Sequence, residues 1–421
     1  MIAEILATGD EIRSGALIDS NSAAIAEKLE QNGVEVLRHT CVGDDLSRLV
    51  GTFGEIGSRA DVAVVTGGLG PTSDDRCAEA AAQAAGVDLA MNPVALANVE
   101  RFFKAFKRPM TESNRKQALL PKGCKVLFNP VGTAPGFALT IGRCRFFFLP
   151  GVPYEMKRML ADQVLPDLFA LQGDAVMHSQ VKTITTFGLP ESLAGERVAG
   201  LESMFPGVLL GLRANFPQIQ LKLYGRDADA QRLDKRLAAA SGWALKQLGH
   251  NVISENGQSM QAVIGKLLSD QSATLALAES CTGGLLANWL THVAGSSDYF
   301  LFSGVTYANQ AKIDVLGVRR QTLDTHGAVH EKTAREMAEG AQRVAGSTYG
   351  LSTSGIAGPD GGSDDKPVGT VCIGFAGPDR SYGRRLYFPF GKRLMNKKIF
   401  AMAALDILRK ELLGIAQPRD P

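Results

Sequence analysis

The sequence predicts an α/β protein with an N-terminal, mostly parallel sheet covered by helices on both faces, a small α+β middle domain and a C-terminal α/β domain. Up to about residue 170, short apolar runs alternate with helical patterns, which is typical of a parallel sheet covered by helices. From about 175 to 250, strands are followed by one long Ala-rich helix, and from about Ser259 helices and strands alternate again. Because a single core rarely grows beyond about 250–300 residues, we divide the 421 residues into domains 1–172, 173–255 and 256–421.

The N-terminal domain is expected to open with the order β-α-β-α-β. The expected strands are residues 2–7, 34–41 and 62–66, and the expected helices are residues 21–31 and 46–56. The first helix has Asp19 or Ser20 as its cap and Gly33 just past its end. The third strand is continuously apolar, which is typical of a strand buried on both faces. Further along, strands at 137–141 and 145–149 with a tight turn at Gly142 predict an antiparallel edge.

The other two domains also have distinct element patterns. The middle domain has expected strands at 181–187 and 218–224, followed by a helix at 228–248. The C-terminal domain is expected to contain helices at 260–268, 281–293 and 397–413, and strands at 273–278, 349–353 and 370–375. Strands that alternate with helices again indicate an α/β arrangement.

Composition and charge narrow the functional class. Lys and Arg number 45 against 43 Asp and Glu, and the two signs are interspersed, so no electrostatic footprint for nucleic acid or membrane is present. No apolar run approaches the roughly 20 residues of a membrane span, and the N-terminus lacks the basic and apolar regions of a signal peptide. We therefore expect a cytoplasmic protein that acts on small molecules, and we expect a homo-oligomer, a dimer.

Cysteine and histidine positions do not predict a metal centre. The six cysteines are scattered without a C-x-x-C pair, so buried free thiols are expected. His326 and His330 have the spacing of a helical metal pair, but Gly327 and Val329 between them indicate a turn into a helix that begins near Glu331.

The first candidate catalytic motif is Ala-Glu-Ser-Cys-Thr-Gly-Gly at 278–284, between an expected buried strand and an expected helix. This position puts Ser280 at a helix N-terminus, where unpaired N–H groups from Thr282 to Gly284 point outward. The two glycines let a ligand approach the backbone, and a phosphate or a developing oxyanion would be stabilised there. The alternative is that Ser280 only caps the helix and that the glycines make a packing contact.

Two further segments favour catalysis over a cap. Val-Thr-Tyr-Ala-Asn-Gln-Ala-Lys at 305–312 puts Tyr307 and Lys312 on a strand-to-helix junction. A lysine desolvated beside a serine loses its proton more readily and acts as a general base, although a surface lysine and a core tyrosine are the commoner cases. The third segment, 354–371, holds five glycines between two expected strands. Because most connections need only about 4–6 residues, we interpret it as a binding loop.

A glycine-rich turn in the N-terminal domain has the same strand-to-helix setting. Thr-Gly-Gly-Leu-Gly-Pro-Thr-Ser-Asp-Asp at 66–75 follows a buried strand and precedes a helix, an arrangement that cradles phosphate. Asp74 and Asp75 are candidate hard-cation ligands or water-activating groups, and the alternative is that Asp74 only caps the helix. Thr-Gly-Asp-Glu at 8–11 brings further carboxylates to the carboxyl edge of the sheet, where open α/β sheets bind ligands.

The three C-terminal motifs, in their order and spacing, resemble the CinA C-terminal domain family, whose stand-alone members are nicotinamide mononucleotide deamidases. The resemblance implies hydrolysis of the nicotinamide carboxamide to nicotinate mononucleotide and ammonia, without a cofactor. It implies Ser280 as nucleophile, Lys312 as its base, Tyr307 as an aid to proton transfer, and substrate phosphate in the glycine-rich loop or on Arg393. The residues expected to contact substrate are Thr282, Gly283, Gly284, Asn309, Gly355, Gly358, Gly361, Gly362, Lys366 and Arg393. The sequence departs from the family at Lys392, where relatives often carry Asp, and at His330, where they tend to have Ser.

The N-terminal motifs, together with Asn-Pro-Val-Gly-Thr-Ala-Pro-Gly at 129–136 and Leu-Pro-Gly-Val-Pro at 149–153, resemble the CinA N-terminal domain, a relative of molybdopterin-binding proteins. The resemblance implies a metal-dependent ADP-ribose pyrophosphatase in some members and an ancestral nucleotide or pterin site in others. A divalent metal is expected on Asp74 and Asp75, and the expected nucleotide contacts are Thr8, Asp10, Glu11, Gly67, Gly68, Gly70, Thr72, Asn129 and Thr133. Residues 76–78, Arg-Cys-Ala, depart from the usual continuation. The competing hypothesis is a nucleotide- or pterin-binding module whose C-terminal domain serves assembly or a competence-related interaction.

Overall fold

The computed structural model describes residues 1–172 and 177–415. The chain separates into two compact units: unit 1 comprises residues 1–181 with 225–235, and unit 2 comprises residues 182–224 with 236–421. Most of the middle segment therefore belongs to the same unit as the C-terminal residues, and the three-domain boundaries stay a prediction. No helix within the described ranges is long and apolar enough to cross a membrane.

Within the described residues the strands are β1 (Ile2–Thr8), β2 (Glu35–Val42), β3 (Val62–Thr66), β4 (Leu89–Met91), β5 (Leu119–Pro121), β6 (Lys125–Leu127), β7 (Gly136–Ile141), β8 (Cys144–Leu149), β9 (His178–Thr186), β10 (Val208–Asn215), β11 (Gln218–Asp227), β12 (Val252–Ser254), β13 (Leu275–Glu279), β14 (Phe300–Val305), β15 (Tyr349–Gly355), β16 (Thr370–Ala376) and β17 (Ser381–Tyr387). The α-helices are α1 (Asp10–Arg13), α2 (Ser20–Gln31), α3 (Leu46–Arg59), α4 (Cys77–Ala85), α5 (Pro93–Ala105), α6 (Glu112–Lys116), α7 (Pro153–Met159), α8 (Leu165–Gln172), α9 (Glu191–Arg197), α10 (Leu201–Met204), α11 (Ala230–Leu248), α12 (Met260–Asp270), α13 (Leu285–Thr291), α14 (Asn309–Leu316), α15 (Arg320–His326), α16 (Glu331–Ala345) and α17 (Arg393–Leu412). A π-helical turn at Leu160–Val164 joins α7 to α8.

Unit 1 is built on a six-stranded sheet in the order β2-β1-β3-β8-β7-β6. β1 pairs in parallel with β2 and with β3, and β3 pairs in parallel with β8. β7 pairs antiparallel with both β8 and β6, and Gly142, at a φ of 59°, lies in the turn between β7 and β8. This confirms the mostly parallel sheet and the antiparallel strand pair predicted at 137–149.

Alternate side chains of these strands bury both faces of the sheet. Val62 and Val64 of β3 pack with α2 and α7 on one face, whereas Ala63 and Val65 pack with α3 and α4 on the other. Because successive side chains of a strand point to opposite faces, a continuously apolar strand needs cover on both sides. The predicted helices on both faces are therefore confirmed.

Unit 2 contains a five-stranded sheet in the order β14-β13-β15-β16-β17. β13 pairs in parallel with β14 and β15, while β16 pairs antiparallel with β15 and β17. Leu275 and Leu277 of β13 face a core shared with α12, α13 and α17, whereas Ala276 and Ala278 face α14 and α16. Ser280 directly follows β13, at the carboxyl edge of this sheet.

A four-stranded sheet in the order β10-β11-β9-β12 comes from the middle segment. β12 pairs antiparallel with β9. Phe187 and Ile253 of this segment belong to the same hydrophobic core as Leu275 and Phe400. In unit 2, the middle and C-terminal segments therefore share one core.

Several elements differ from their predicted bounds. The helix predicted at 281–293 is confined to Leu285–Thr291, because residues 281–284 form a turn. The closing helix begins at Arg393 rather than at residue 397, so Arg393 lies in its first turn. Strands β10, β14 and β17 were not predicted. Each lies at the edge of its sheet and consists mostly of half-buried or exposed residues, as expected for a strand without a continuous apolar run.

Candidate active sites

Ser280 lies in a turn that leaves the carboxyl end of β13. Its N–H donates to the carbonyl of Thr353 on β15 (3.0 Å), and its carbonyl accepts from the N–H of Gly283 (3.1 Å). Gly283 and Gly284 have φ values of 61° and 87°, so the chain turns sharply before α13 begins at Leu285. The prediction that Ser280 lies at a helix N-terminus is therefore wrong.

The N–H groups at the start of α13 have an internal partner in Glu279, whose side chain is fully buried. Its carboxylate accepts hydrogen bonds from the Thr282 hydroxyl (2.7 Å) and from the N–H groups of Leu286 (3.2 Å) and Ala287 (2.9 Å). An internal carboxylate thus takes N–H groups at the start of α13 that a ligand anion would otherwise use. Thr282, predicted to contact substrate, is itself fully buried and also bonds Thr353 (2.7 Å), so its hydroxyl is an internal link.

Lys312 of α14 approaches the same turn. Its amino nitrogen lies 3.4 Å from Ser280 Oγ and 2.9 Å from each of the carbonyl oxygens of Thr306 and Tyr307. Only 1% of Lys312 is exposed, and this desolvation lowers the pKa of its amino group below the ordinary 10.5. Burial also raises the pKa of the neighbouring Cys281 thiol to about 12, so the thiol stays protonated beside Ser280. The predicted nucleophile and base therefore lie together.

Tyr307 offers Lys312 its carbonyl rather than its hydroxyl. The residue is 62% exposed, and its hydroxyl accepts a hydrogen bond from Arg393 (3.2 Å). Arg393 also donates to the carbonyl of Gly358 (2.7 Å), and so joins Tyr307 to the glycine-rich segment. The proton-transfer role of the Tyr307 hydroxyl stays a prediction.

A second cation, Lys397, lies one helical turn after Arg393 on α17. A Cβ added to Gly283 would lie 3.3 Å from Lys397 Nζ, so this amino group is close to the turn that carries Ser280. Residues four apart share one face of a helix, so Arg393 and Lys397 form a pair of cations at the same end of α17. The sequence reasoning missed Lys397, although its spacing from Arg393 was an available signal.

The segment predicted as a binding loop connects β15 to β16, and we define residues 354–369 as the glycine loop. Gly358 has a φ of 83°, and an added Cβ would lie 2.5 Å from a methyl group of Val368. Gly355 ends β15, while Gly361 and Gly362 lie in the exposed part of the loop. Gly358 therefore lets the loop fold back on itself at the residue whose carbonyl accepts from Arg393.

Two other residues predicted to contact substrate have different surroundings. Lys366 donates to the carbonyl of His326 (3.1 Å), and Asn309 is exposed at the first residue of α14. The rings of His326 and His330 stack with centroids 4.2 Å apart, and His330 caps α16 by accepting from the N–H of Lys332 (3.1 Å). The predicted turn between the two histidines is confirmed.

Unit 1 carries a cavity of about 360 Å³ at the carboxyl ends of β1 and β3. This is the edge at which open α/β sheets bind ligands. The predicted residues that line it are Thr8, Glu11, Gly67, Gly68, Gly70, Asp74, Asp75 and Thr133. Sequence reasoning missed Asn21, Asp44, Gln117 and Glu155, which come from other parts of the chain and also line it.

Carboxylates dominate the charge of this cavity, and none of the described residues that line it is Lys or Arg. The carboxylates are those of Glu11, Asp44, Asp74, Asp75 and Glu155. Burial raises the pKa of Asp44, and the nearby negative charges of Asp10, Glu11 and Asp74 raise it further. Burial likewise raises the pKa of Glu155, against the effect of a hydrogen bond from Asn129 (2.7 Å). An anionic ligand would therefore need a cation bound with it to offset the negative charge of these carboxylates.

The other predicted residues, Asp10, Thr72 and Asn129, are outside the cavity lining, but each donates a hydrogen bond to a carboxylate that lines it. Asp75 accepts from the N–H of Thr72 (2.9 Å) and thereby holds the glycine-rich turn. Asn129 bonds Glu155 and so orients that carboxylate. Asp10 is exposed, and its N–H donates to Asp44 (3.0 Å).

The donor set suits a divalent cation that arrives with its substrate. Within residues 1–172 and 177–415, no group of three or more His, Cys, Asp or Glu side chains is arranged to hold a metal. Mg²⁺, however, is usually bound by one or two carboxylates together with substrate phosphates and water. Asp74 is exposed and does not cap α4, which begins at Cys77 without a side-chain cap. Asp74 and Asp75 therefore fit a site of this two-carboxylate kind.

Comparison with known proteins covers almost the whole chain. Residues 257–412 match the family described as "CinA C-terminal domain", and residues 4–170 match the one described as "Probable molybdopterin binding domain". The chain is 53% identical over 413 residues to a CinA-like protein of Desulfosudis oleivorans, covering 98% of this chain and 100% of the relative. It is 50% identical over 417 residues to a CinA-like protein of Desulforapulum autotrophicum, covering 98% and 99%. It is also 34% identical to the competence damage-inducible protein A of Klebsiella pneumoniae, a solved structure, with a TM-score of 0.35 and coverage of 37% of this chain and 95% of that one. The chain belongs to the CinA family.

Proposed function

We propose that the C-terminal site hydrolyses the carboxamide of nicotinamide mononucleotide to nicotinate mononucleotide and ammonia. Ser280 is the nucleophile and Lys312 is its general base. The observation that carries the proposal is the approach of Lys312 Nζ to within 3.4 Å of Ser280 Oγ in a buried setting. Serine alone is a weak nucleophile, and a base within hydrogen-bond reach is what activates it.

The surroundings of Lys312 suit the neutral amine. A neutral amine has two N–H groups and one lone pair, and two carbonyl oxygens, of Thr306 and Tyr307, each lie 2.9 Å from the nitrogen. With both N–H groups donated to these carbonyls, the lone pair is free to accept the proton of Ser280 Oγ. Burial shifts the equilibrium of this amino group toward the neutral form, because it disfavours the ammonium and lowers the pKa.

The reaction then runs through an acyl-enzyme. Ser280 Oγ passes its proton to Lys312 and bonds to the carboxamide carbon. The C–N bond breaks, and Lys312 returns the proton to the leaving nitrogen, which departs as ammonia. Water next gives a proton to Lys312 and attacks the acyl carbon. The bond to Ser280 breaks, Oγ takes that proton back, and nicotinate mononucleotide leaves.

Positive charge for the anionic substrate has to come from side chains here, because Glu279 occupies N–H groups at the start of α13. Arg393 and Lys397 are cations near the turn that carries Ser280. Of the two positions expected for the substrate phosphate, the glycine loop and Arg393, we assign it to Arg393, with Lys397 beside it. A planar guanidinium suits a phosphate because it donates two parallel hydrogen bonds.

The test is ammonia release from nicotinamide mononucleotide by the full chain and by Ser280→Ala. Loss of the nucleophile should reduce the rate by at least about a thousandfold, since the serine and its base act as one unit. Ser269→Ala, an exposed serine of α12, is the matched control and should keep the wild-type rate. Equal rates in wild type and Ser280→Ala would remove Ser280 as nucleophile. No release by wild type would remove the activity and favour the binding-module hypothesis.

For unit 1 we propose a metal-dependent hydrolysis of ADP-ribose, which with the first activity would serve pyridine nucleotide recycling. The cavity lined by five carboxylates and by no described Lys or Arg carries this proposal. A diphosphate would be repelled there unless a divalent cation neutralised it. Asp74 and Asp75 would hold that cation, which would stabilise the charge that develops on the phosphate oxygens. Glu155, whose pKa is raised by burial, is the carboxylate we assign to accept the proton of the attacking water.

AMP release from ADP-ribose tests this second activity. We expect it to require a divalent metal, to be abolished by a chelator, and to fall at least about a hundredfold in Asp75→Ala. Asp88→Ala, an exposed aspartate outside the cavity lining, should have no effect. Ammonia release should be insensitive to the chelator. An unchanged rate in Asp75→Ala would remove that assignment.

A further inference from the structure

The middle segment carries no motif of its own, yet its β10–β11 hairpin reaches the candidate deamidase site within unit 2. We infer that Phe216, at the tip of this hairpin, positions Arg393 and thereby sets the affinity of the site for the substrate phosphate. The inference rests on the proposed deamidase function and adds to it a role for the middle segment. Phe216 is a positioning residue, because it acts on substrate only through the residues that it contacts.

Two contacts hold the hairpin tip against the C-terminal residues. The ring of Phe216 meets that of Phe390 edge-to-face, with centroids 5.0 Å apart and planes at 82°. Next to it, Gln218 Nε2 lies 3.7 Å from Met402 Sδ of α17, and both groups are buried. The tip therefore packs on α17 and on the segment that leads into it.

Phe390 is tied to the glycine loop through one buried side chain. The amide nitrogen of Asn396 donates both to the carbonyl of Phe390 (2.7 Å) and to the carbonyl of Ala357 in the glycine loop (3.0 Å). Asn396 is fully buried, so its side chain is shielded from competition with water for these hydrogen bonds. A shift of Phe390 would therefore disturb the glycine loop through Asn396, as well as the residues next to Phe390 in sequence.

Arg393 follows Phe390 by three residues, and two hydrogen bonds hold its side chain. It is exposed in the first turn of α17, and the hydrogen bonds that hold its guanidinium go to the carbonyl of Gly358 and to the hydroxyl of Tyr307. Its position depends on where the chain enters α17, which Phe390 fixes against Phe216. The Ser280–Lys312 pair meets this chain of contacts at Tyr307, where Lys312 bonds the backbone carbonyl and Arg393 bonds the side-chain hydroxyl. Loss of the Phe216 ring should weaken substrate binding through Arg393 and leave the chemical step unchanged.

The experiment measures KM and kcat for ammonia release from nicotinamide mononucleotide in the full chain. An edge-to-face aromatic pair shifts an equilibrium by about two- to tenfold, so Phe216→Ala should raise KM by that factor with kcat within about twofold of wild type. Phe216→Tyr keeps the ring and should restore the wild-type KM. Leu209→Ala is the matched control, because Leu209 is a 65% exposed apolar residue of β10 and should leave KM unchanged.

A double variant separates positioning from general damage. If Phe216 acts through Arg393, adding Phe216→Ala to Arg393→Ala should not raise KM further, because the two changes remove one effect. An unchanged KM in Phe216→Ala, an equal rise in Leu209→Ala, a loss of kcat at constant KM, or additive effects in the double variant would each overturn the inference. If Phe216→Ala does not fold, Phe216→Leu keeps the apolar bulk without the aromatic edge and carries the same prediction. A wild type without ammonia release is a separate outcome, which rejects the proposed function itself.

Discussion

Replacing Lys312 by Met tests the proposed chemistry most directly. Met keeps an unbranched stem of similar length in a site where only 1% of the residue is exposed, so the packing around α14 should be largely preserved. What disappears is the nitrogen that lies 3.4 Å from Ser280 Oγ. The variant therefore removes the base while leaving the nucleophile in place.

The size of the effect follows from the proton that Lys312 accepts and returns in each half of the reaction. A positioned general acid or base contributes about 10²–10⁴ in rate, which corresponds to about 3–5 kcal/mol of barrier at 1.36 kcal/mol per factor of ten. Lys312→Met should therefore lower kcat by about a hundred- to ten-thousandfold. Because Ser280 and Lys312 act as one unit, the double variant Ser280→Ala with Lys312→Met should be about as slow as Ser280→Ala alone.

Ammonia release at saturating nicotinamide mononucleotide is the assay, with circular dichroism and thermal unfolding as checks on folding. Lys266→Met is the control, since Lys266 is an exposed lysine of the same unit that pairs with Asp270 (2.8 Å). A rate for Lys312→Met within about threefold of wild type would refute the base assignment. A double variant slower than Ser280→Ala by a further factor of about a hundred would refute the claim that the two side chains form one catalytic unit.

Four further predictions concern pH and stability. The kcat/KM for ammonia release should rise with pH as Lys312 loses its proton, with a midpoint below 10.5 because burial lowers its pKa, and this limb should be absent in Lys312→Met; a midpoint at or above 10.5 would contradict it. For the same reason the folded state disfavours the proton on Lys312, so the free energy of unfolding contributed by this group should rise with pH up to 10.5, as measured by urea unfolding. Glu279→Gln should lower the free energy of unfolding by about 1–3 kcal/mol, because the amide NH₂ would face an N–H group of α13 that the carboxylate now accepts. Glu255→Gln, at an exposed site, is the control and should lower it little. Equal losses in the two variants would contradict the prediction. AMP release should rise with pH through a midpoint above 4.5 as Glu155 loses its proton, and Glu155→Gln should remove that limb and lower kcat/KM by about a hundredfold; an intact limb in Glu155→Gln would exclude Glu155 as the base.

Local patterns were enough for the features that depend on neighbours along the chain. The apolar run of β3 predicted a strand buried on both faces, and Asp19 and Gly33 predicted the two ends of α2, where Asp19 accepts from the N–H of Ser22 and Gly33 has a φ of 78°. The motif residues Ser280 and Lys312 were also identified as a pair from sequence, and they lie 3.4 Å apart. The strand and the helix ends were predicted from residue types a few positions apart. The Ser280–Lys312 pair was predicted from motifs that the family resemblance connects.

Only the tertiary structure decided how these motifs are completed. Glu279 was missed because nothing in the local sequence shows that its side chain would be buried under the first turn of α13, where it accepts from the N–H groups of Leu286 and Ala287. Asp44 and Glu155 reach the same cavity from distant parts of the chain, and Phe216 meets Phe390 only because the middle and C-terminal segments share one core. A sequence specifies periodicity, caps and turn residues locally, because these depend on backbone geometry over a few residues. Which buried charge takes which N–H group depends on packing between distant segments, and that is set only when the sheets and helices come together.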